Sequence, residues 1–374
     1  MSDRRKQMTE KIYFADTRTN QKTNHFGKID TLIEKMDVAG KISNKTLTAI
    51  KVHFGERGNT AFLKPAYCKP FIDAVKGAGG LPFVTDCNTL YIGARGESVS
   101  HLMCAYDNGF TPGALGAPVI IADGIRGDSV VDVPIEGEIF KTASIGADIV
   151  KADALIVLTH FKGHELSGFG GAIKNLGMGC AGRKGKHAQH SDVAPKVKQK
   201  SCTACGSCVE NCPANAITID DKAFIDSEVC IGCGQCILSC PTGSIRIVWN
   251  PSYEDFQKKM AEYTLGVLKG KEEKTIFFNF IIDVTPACDC HPYSDTPIVE
   301  DIGIVCGTDP VAIDQASVDL VNEVRGIDGT ALKENHEPGG DKFRGVYSYL
   351  DWSFQLAHGE KIGLGTRDYE LIKV

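Results

Sequence analysis

The sequence predicts an α/β fold: a mostly parallel sheet flanked by helices, interrupted by a small cysteine-rich α+β domain. Three observations predict it. Apolar, β-branched runs alternate with amphipathic stretches on both sides of residues 199–249. That segment repeats one cysteine phrase twice. Polar, glycine-rich phrases fall where the predicted strands end, which is where open α/β sheets bind ligands.

Residues 11–15, 47–54, 81–86, 118–122 and 154–159 read as strands, and 29–36, 65–76, 99–107 and 143–152 as helices. The alternation resumes with a helix at 253–268, strands at 275–284 and 302–306, and a helix at 310–324. Asp309 before Pro310 is a helix start, because the carboxylate accepts free N–H groups and proline suits the first turn. A helix at 347–358 and a strand at 369–374 follow. The expected organisation is one α/β domain in two parts, 1–198 and 250–374, with residues 199–249 inserted at a loop. Three domains in series are the alternative.

The inserted segment reads Cys202-x2-Cys205-x2-Cys208-x3-Cys212-Pro213 and then Cys230-x2-Cys233-x2-Cys236-x3-Cys240-Pro241. This is the bacterial ferredoxin spacing for two [4Fe–4S] clusters, in which the fourth ligand of each half crosses to the other. One cluster is expected on Cys202, Cys205, Cys208 and Cys240, the other on Cys230, Cys233, Cys236 and Cys212. Zinc sites show cysteine pairs instead of this doubled run of four. Residues 216–219 recur as 244–247, a short apolar strand beside each cluster.

A formal charge of −6 without a basic stripe argues against nucleic acid, and no apolar run is long enough to span a bilayer. The charged N-terminus lacks the apolar core of a signal peptide. Fifteen cysteines without an export signal point to reduced thiols, metal ligation and a cytoplasmic setting.

Several phrases could carry a second chemistry. His53 lies in a strand-end turn with Glu56, Arg57 and Asn59, as a hydrogen-bonded loop residue or as a ligand. Residues 159–180 hold His160, Lys162, His164, Lys174 and Asn175 among glycines whose bare backbone can approach an anion. In a helix, His160 and His164 would share a face, to bind metal or to contact substrate. Cys288-Asp289-Cys290-His291 offers two thiolates for a further metal ion, with His160 or His164 completing the set, or else two reduced cysteines on a loop. Asp301 could orient a histidine or bind a cation. The basic run from Arg183 to Lys200 reads as a solvated linker or as a docking surface for an acidic redox partner or an anionic substrate. Cys68, Cys87, Cys104 and Cys306 read as core.

Residues 51–64 (KVHFGERGNTAFLK), 159–179, 288–297 and 301–320 together resemble domain of unknown function family 362, in its iron–sulfur centre branch. The resemblance implies an α/β domain interrupted by two clusters and says little of the reaction. A remoter architectural likeness, to nickel-dependent lactate racemases, comes without a matching catalytic motif.

The expected function is an iron–sulfur redox protein. Its two clusters would exchange electrons with a site lined by His53, His160, His164, Lys174 and Asn175, with Cys288 and Cys290 as ligands of a further metal ion, in a reductase-type activity on a small anion. The alternatives are a non-enzymatic electron-transfer subunit and a metallocentre-assembly or cofactor-maturation protein. A redox partner protein is expected in each case. The sequence carries no flavin or nicotinamide fingerprint.

Overall fold

The computed structural model describes residues 9–91, 93–191, 193–248 and 252–374. Before the cysteine-rich segment run β1 (Glu10–Asp16), β2 (Leu47–Lys51), β3 (Leu81–Asp86), β4 (Val119–Ile121), β5 (Val130–Pro134), β6 (Thr142–Gly146), β7 (Ala154–His160), β8 (Lys162–His164) and β9 (Gly168–Gly170). Within and beside that segment lie β10 (Lys196–Val197), β11 (Ile217–Ile219), β12 (Ala223–Ile225) and β13 (Ile245–Arg246). Then come β14 (Thr275–Ile281), β15 (Gly303–Gly307) and β16 (Tyr369–Lys373).

Eight strands form the main sheet in the order β16-β1-β15-β14-β7-β2-β3-β4. All its pairings are parallel except those of β15, which runs against both neighbours. The sheet is therefore α/β and mostly parallel, as the alternation predicted. Strands from before and after the cysteine-rich segment lie side by side, β7 against β14.

The central strands explain the two layers. Every residue of β7 and β14 is buried. Leu155, Val157, Phe277 and Ile281 pack to one face, and Ile156, Leu158, Ile276, Phe278 and Phe280 to the other, the period-two alternation of a strand covered on both sides. Helices Tyr253–Leu268, Ala172–Gly177, Pro310–Glu323 and Ser353–Lys361 cover the first face. His25–Lys35, Lys69–Gly77 and Ser98–Asp107 cover the second.

Some boundaries differ from the sequence reading. Residues 143–152 are not one helix: β6 occupies 142–146, because Ala143 and Ile145 alternate into the core, and a short helix Ala147–Lys151 follows. The helix expected at 347–358 starts only at Ser353, whose N–H and hydroxyl are both taken by the Asp351 side chain (2.9 and 2.7 Å). Asp309 does cap its helix, accepting from the N–H groups of Val311 and Ala312 at 2.8 and 2.9 Å. The charged residues 1–8, Asp192 and the boundary at 249/250 lie outside the described residues.

One buried polar group ties the layers together. The Asp314 carboxylate accepts from the N–H groups of Ala172 (2.7 Å) and Ile173 (3.0 Å) and from Asn279 on β14 (2.8 Å). This close approach requires a glycine at 171, where a Cβ would lie 2.3 Å from the Asp314 oxygen. Gly171→Ala should therefore cost about 1–3 kcal/mol in denaturant unfolding, the usual price of overpacking. Gly113→Ala, with open space around it, should be near neutral.

The cysteine-rich segment makes its own small sheets, β10 with β13 and β11 with β12. Cys208, Ile217, Ala223, Cys236, Ile237 and Ile245 cluster there with Leu90 from the loop after β3. Left-handed backbone recurs at Ala204 and Gly232, Gly206 and Gly234, and Asn215 and Gly243. Each pair sits at the same offset in its cysteine phrase, so the duplication is one of backbone as well as of sequence.

Candidate functional site

The strands β2, β3, β7 and β14 are mutually parallel and end on one edge of the sheet. From β2 the chain moves outward to β3 and β4, then returns to β7 on the other side, so the order reverses between β2 and β7. Ligands of open α/β sheets bind at such a reversal. Here the loops after these four strands surround a cavity of about 740 Å³.

A buried charge network forms its floor. Asp86, at the end of β3, pairs with Lys51 (3.0 Å) and lies 3.9 Å from Arg95 and 4.0 Å from His101. Although burial opposes it, Lys51 and then Arg95 hold the Asp86 carboxyl well below the usual range. Arg95 also pairs with Glu56 (3.2 Å) and donates to the Tyr91 hydroxyl (3.0 Å). His53 accepts from the Gly55 N–H at Nδ1 (3.0 Å), with Arg95 Nη1 standing 3.1 Å from Nε2. Burial and then Arg95 push its pKa well down, so the ring is neutral. Asn175 accepts from Lys51 (2.7 Å) and donates to the Leu158 carbonyl and the Thr159 hydroxyl (both 3.0 Å), fixing the lysine against β7.

His53, His164, Lys174, Asn175 and Cys290 all line the cavity, whereas His160 and Cys288 stand behind its wall. His160 and His164 do not share a helical face, because they lie on β7 and β8. His160 Nδ1 faces both Asp289 oxygens at 2.9 Å, and Nε2 faces the carbonyls of Ile282 (2.9 Å) and Asp283 (3.0 Å). With a protein oxygen facing each nitrogen, neither is open to a metal. It positions the turn that carries Cys288 and Cys290. Asp301 orients no histidine; it accepts from the Asp283 N–H at 2.7 Å.

Lys174 is half-buried, with its ammonium 3.3 Å from Cys288 Sγ. Burial acts to lower its pKa, but the Cys288 and Cys290 sulfurs and Glu165 outweigh that and keep it charged. Hydrogen bonding from Cys290 outweighs burial at Cys288 and, with Lys174 and His164, holds that thiol well below its ordinary value. Cys290 moves the opposite way: its contact with Cys288, and then burial, push its thiol well above the ordinary value. Opposite them, Phe256 stacks between His164 (6.0 Å) and His190 (5.0 Å). Leu90, Leu166 and Met178 add apolar surface.

At the rim His291 contacts Glu165 at 3.2 Å. Its partner raises the His291 pKa above 6.5, while His164 and His291, against the effect of burial, lower that of Glu165 from 4.5 to about 2. A raised base stabilises below its unfolded pKa and a lowered acid above its own, so the contact is complete between about pH 4.5 and 6.5 and opens as pH rises through the His291 midpoint. In Glu165→Gln, the NMR titration midpoint of His291 should fall. An unchanged midpoint would show that the rim contact does not form.

The basic run is not a solvated linker throughout. Arg183–His190 is a helix with Arg183, Lys186 and His187 buried. Arg183 is held by the carbonyls of Arg126 (3.1 Å), Leu90 (3.3 Å) and Gly96, and Lys186 by those of Gly179 (3.4 Å) and Ala181. Lys196, Lys198 and Lys200 are exposed. Cys68, Cys87, Cys104 and Cys306 are buried, and Cys87 also lines the cavity. Lys186, from the basic run, lines the cavity, whereas Asp86, Tyr91 and Arg95 were missed by the sequence reading. Only the position of Asp86 at a strand end gave a signal for any of them.

The eight cysteines of the doubled phrase line two small cavities. One is bounded by Cys202, Cys205, Cys208 and Cys240, the other by Cys212, Cys230, Cys233 and Cys236. The Ala216 and Ser244 N–H groups each donate to a sulfur, Cys212 and Cys240, at 3.2 Å. Burial, and then Cys233, Cys230 and Cys212, push the Cys236 thiol up to about 12. Among the described residues no three Cys, His, Asp or Glu side chains converge as ligands of a single ion. A cubane instead holds its thiolates apart, one at each corner.

A family model described as Domain of unknown function (DUF362) matches residues 48–319. The chain belongs to this family. No curated protein matches it. Among solved structures it is similar to the lactate racemase apoprotein from Thermoanaerobacterium thermosaccharolyticum, at 12% identity and TM-score 0.38, over 76% of this chain and 52% of that one. It is also similar to a protein from Thermotoga maritima, at 8% identity and TM-score 0.34, over 68% of this chain and 49% of that one. The DUF362 chain thus spans about half the length of each. No helix among its described residues is long and apolar enough to cross a membrane.

Proposed function

We propose that this DUF362 protein is an iron–sulfur reductase that delivers electrons to a small anion in the strand-end cavity. Cys202, Cys205, Cys208 and Cys240 would hold one [4Fe–4S] cluster, and Cys212, Cys230, Cys233 and Cys236 the other, within an inserted ferredoxin-type domain. Bound there, the clusters supply one-electron transfer at low potential. The observation that carries the reading is the placement of Leu90. It packs with Cys208 and Cys236 on one side and lines the cavity on the other. The second set is the nearer one, since the residue 232 and 234 backbone abuts His187, Arg183 and Leu90.

The cavity suits an anion with an apolar body. Lys186 is buried in its wall and has no carboxylate at ion-pairing distance among the described residues, while Lys174, half-buried there, faces the Cys288 sulfur. An uncompensated buried cation is costly, and a bound carboxylate or phosphate would offset that cost. Phe256 and its flanking imidazoles offer a flat surface for the apolar part.

The test is anaerobic purification followed by iron and sulfide analysis, electron paramagnetic resonance after dithionite, and mass spectrometry of released small molecules. About eight irons per chain, a reduced-cluster signal and a co-purified anion are expected. Iron-free protein with intact folding would sink the reading. A fully loaded protein that binds a redox partner but no anion would instead favour a carrier.

A further inference from the structure

Cys288 and Cys290 belong to one turn after β14, closed by the His291 N–H donating to the Cys288 carbonyl at 3.1 Å. The residue between them is pinned on every side. Asp289 accepts from His160 at 2.9 Å, pairs with Lys162 at 3.3 Å, and its carbonyl accepts from the Glu56 N–H at 3.0 Å. Cys288 Sγ accepts from Lys174 at 3.3 Å and from the Cys290 N–H at 3.4 Å. Cys290 lines the cavity and Cys288 lies directly behind it, 1% exposed. One sulfur is thus presented to a cavity ligand, and a second waits beside it with an ammonium to neutralise a thiolate. This is the arrangement that thiol–disulfide exchange requires.

The turn also touches the segment that reaches the cysteine-rich domain. The Tyr91 hydroxyl donates to the Cys290 carbonyl at 3.2 Å, and the preceding residue is Leu90, which packs with Cys208 and Cys236. Two consecutive residues therefore connect the apolar shell of that domain to the paired thiols.

We infer that Cys288 and Cys290 form a reversible dithiol–disulfide couple in the cavity wall. On oxidation a Cys288–Cys290 S–S bond forms, the Cys290 S–H bond breaks, and two electrons and one proton leave. Reduction consumes two electrons and one proton and restores the thiolate and the thiol. The electrons are supplied singly, two per disulfide, by a low-potential one-electron carrier protein of the ferredoxin or flavodoxin class. The oxidant is a small disulfide bound in the cavity, which takes the two electrons and the proton and leaves as one thiol and one thiolate. The couple matches one-electron supply to two-electron chemistry, and only its electron supply rests on the iron–sulfur reading above.

The full chain, purified without oxygen, is equilibrated in dithiothreitol redox buffers, quenched with an alkylating reagent and digested. In oxidising buffer the peptide containing residues 288–290 should take no label and weigh about 2 Da less than its dithiol form. In reducing buffer it should take two labels. Cys288→Ser and Cys290→Ser should each abolish the mass loss. Titanium(III) citrate, added at two electrons per chain, should restore both thiols in iron-loaded protein and fail to do so in Cys233→Ala. Two labels at every buffer ratio overturn the inference, as does a metal ion held by both sulfurs. If the parent chain, purified without oxygen, holds no iron yet closes the disulfide, the couple stands and the iron–sulfur reading falls, so the two failures are distinct.

Discussion

Cys236→Ala protein, purified without oxygen, should hold about four irons per chain where the parent holds about eight. Cys236 is 7% exposed and is the most enclosed of its set, packed against Ile237 and Leu90. No other sulfur among the described residues lines that small cavity besides its three partners. The loss should therefore be stoichiometric. Cys208→Ala should remove the other half of the iron and leave a different reduced-state spectrum. The two variants are expected to differ in reach, because the set containing Cys236 lies against Arg183 and His187 and the set containing Cys208 does not. Cys87→Ala, which removes a buried thiol outside both sets, should retain all of the iron. Equal iron in Cys236→Ala and the parent would show that these cysteines are not ligands.

Asp86→Ala should be the most damaging single change in the α/β body. Asp86 is 2% exposed and its partner Lys51 is wholly buried. Removing it leaves Lys51 with only the Asn175 amide oxygen, and Arg95 with Glu56 alone of its two carboxylates. Breaking a buried pair by deleting one partner costs about 3–5 kcal/mol, since the surviving charge stays desolvated. Asp86→Asn should recover little, because the missing quantity is charge. The exposed pair Lys69–Asp73, one helical turn apart at 2.9 Å, gives the contrast. Asp73→Ala should cost about 0.5 kcal/mol or less. If urea unfolding shows the two losses to be equal, the floor of the cavity is not the charge network described.

The strands were legible because burial on both faces leaves a plain signature. The runs at 154–159 and 275–284 are continuous and apolar, and they form the sheet's centre. Where the pattern was mixed, as at 143–152, a strand and a short helix were read as one helix, since alanine and isoleucine satisfy both periods over so few residues. The helix at 183–190 was hidden for a different reason. Its sequence is basic, and only backbone carbonyls contributed by distant loops make a buried Arg183 tolerable. Local charge cannot reveal such acceptors.

The sequence by itself determined the fold class, the family and the spacing of eight cysteines, because each depends on residues close in the chain. Only the tertiary structure decided what those residues face. It brought His53, His164, Lys174, Asn175 and Cys290 to one cavity, turned His160 away from it, and set Leu90 between that cavity and the cysteine-rich segment. The physical reason is that burial and charge pairing act through space. Asp86, Tyr91 and Arg95 acquire their environment from strands and loops far along the chain, and no local pattern records it.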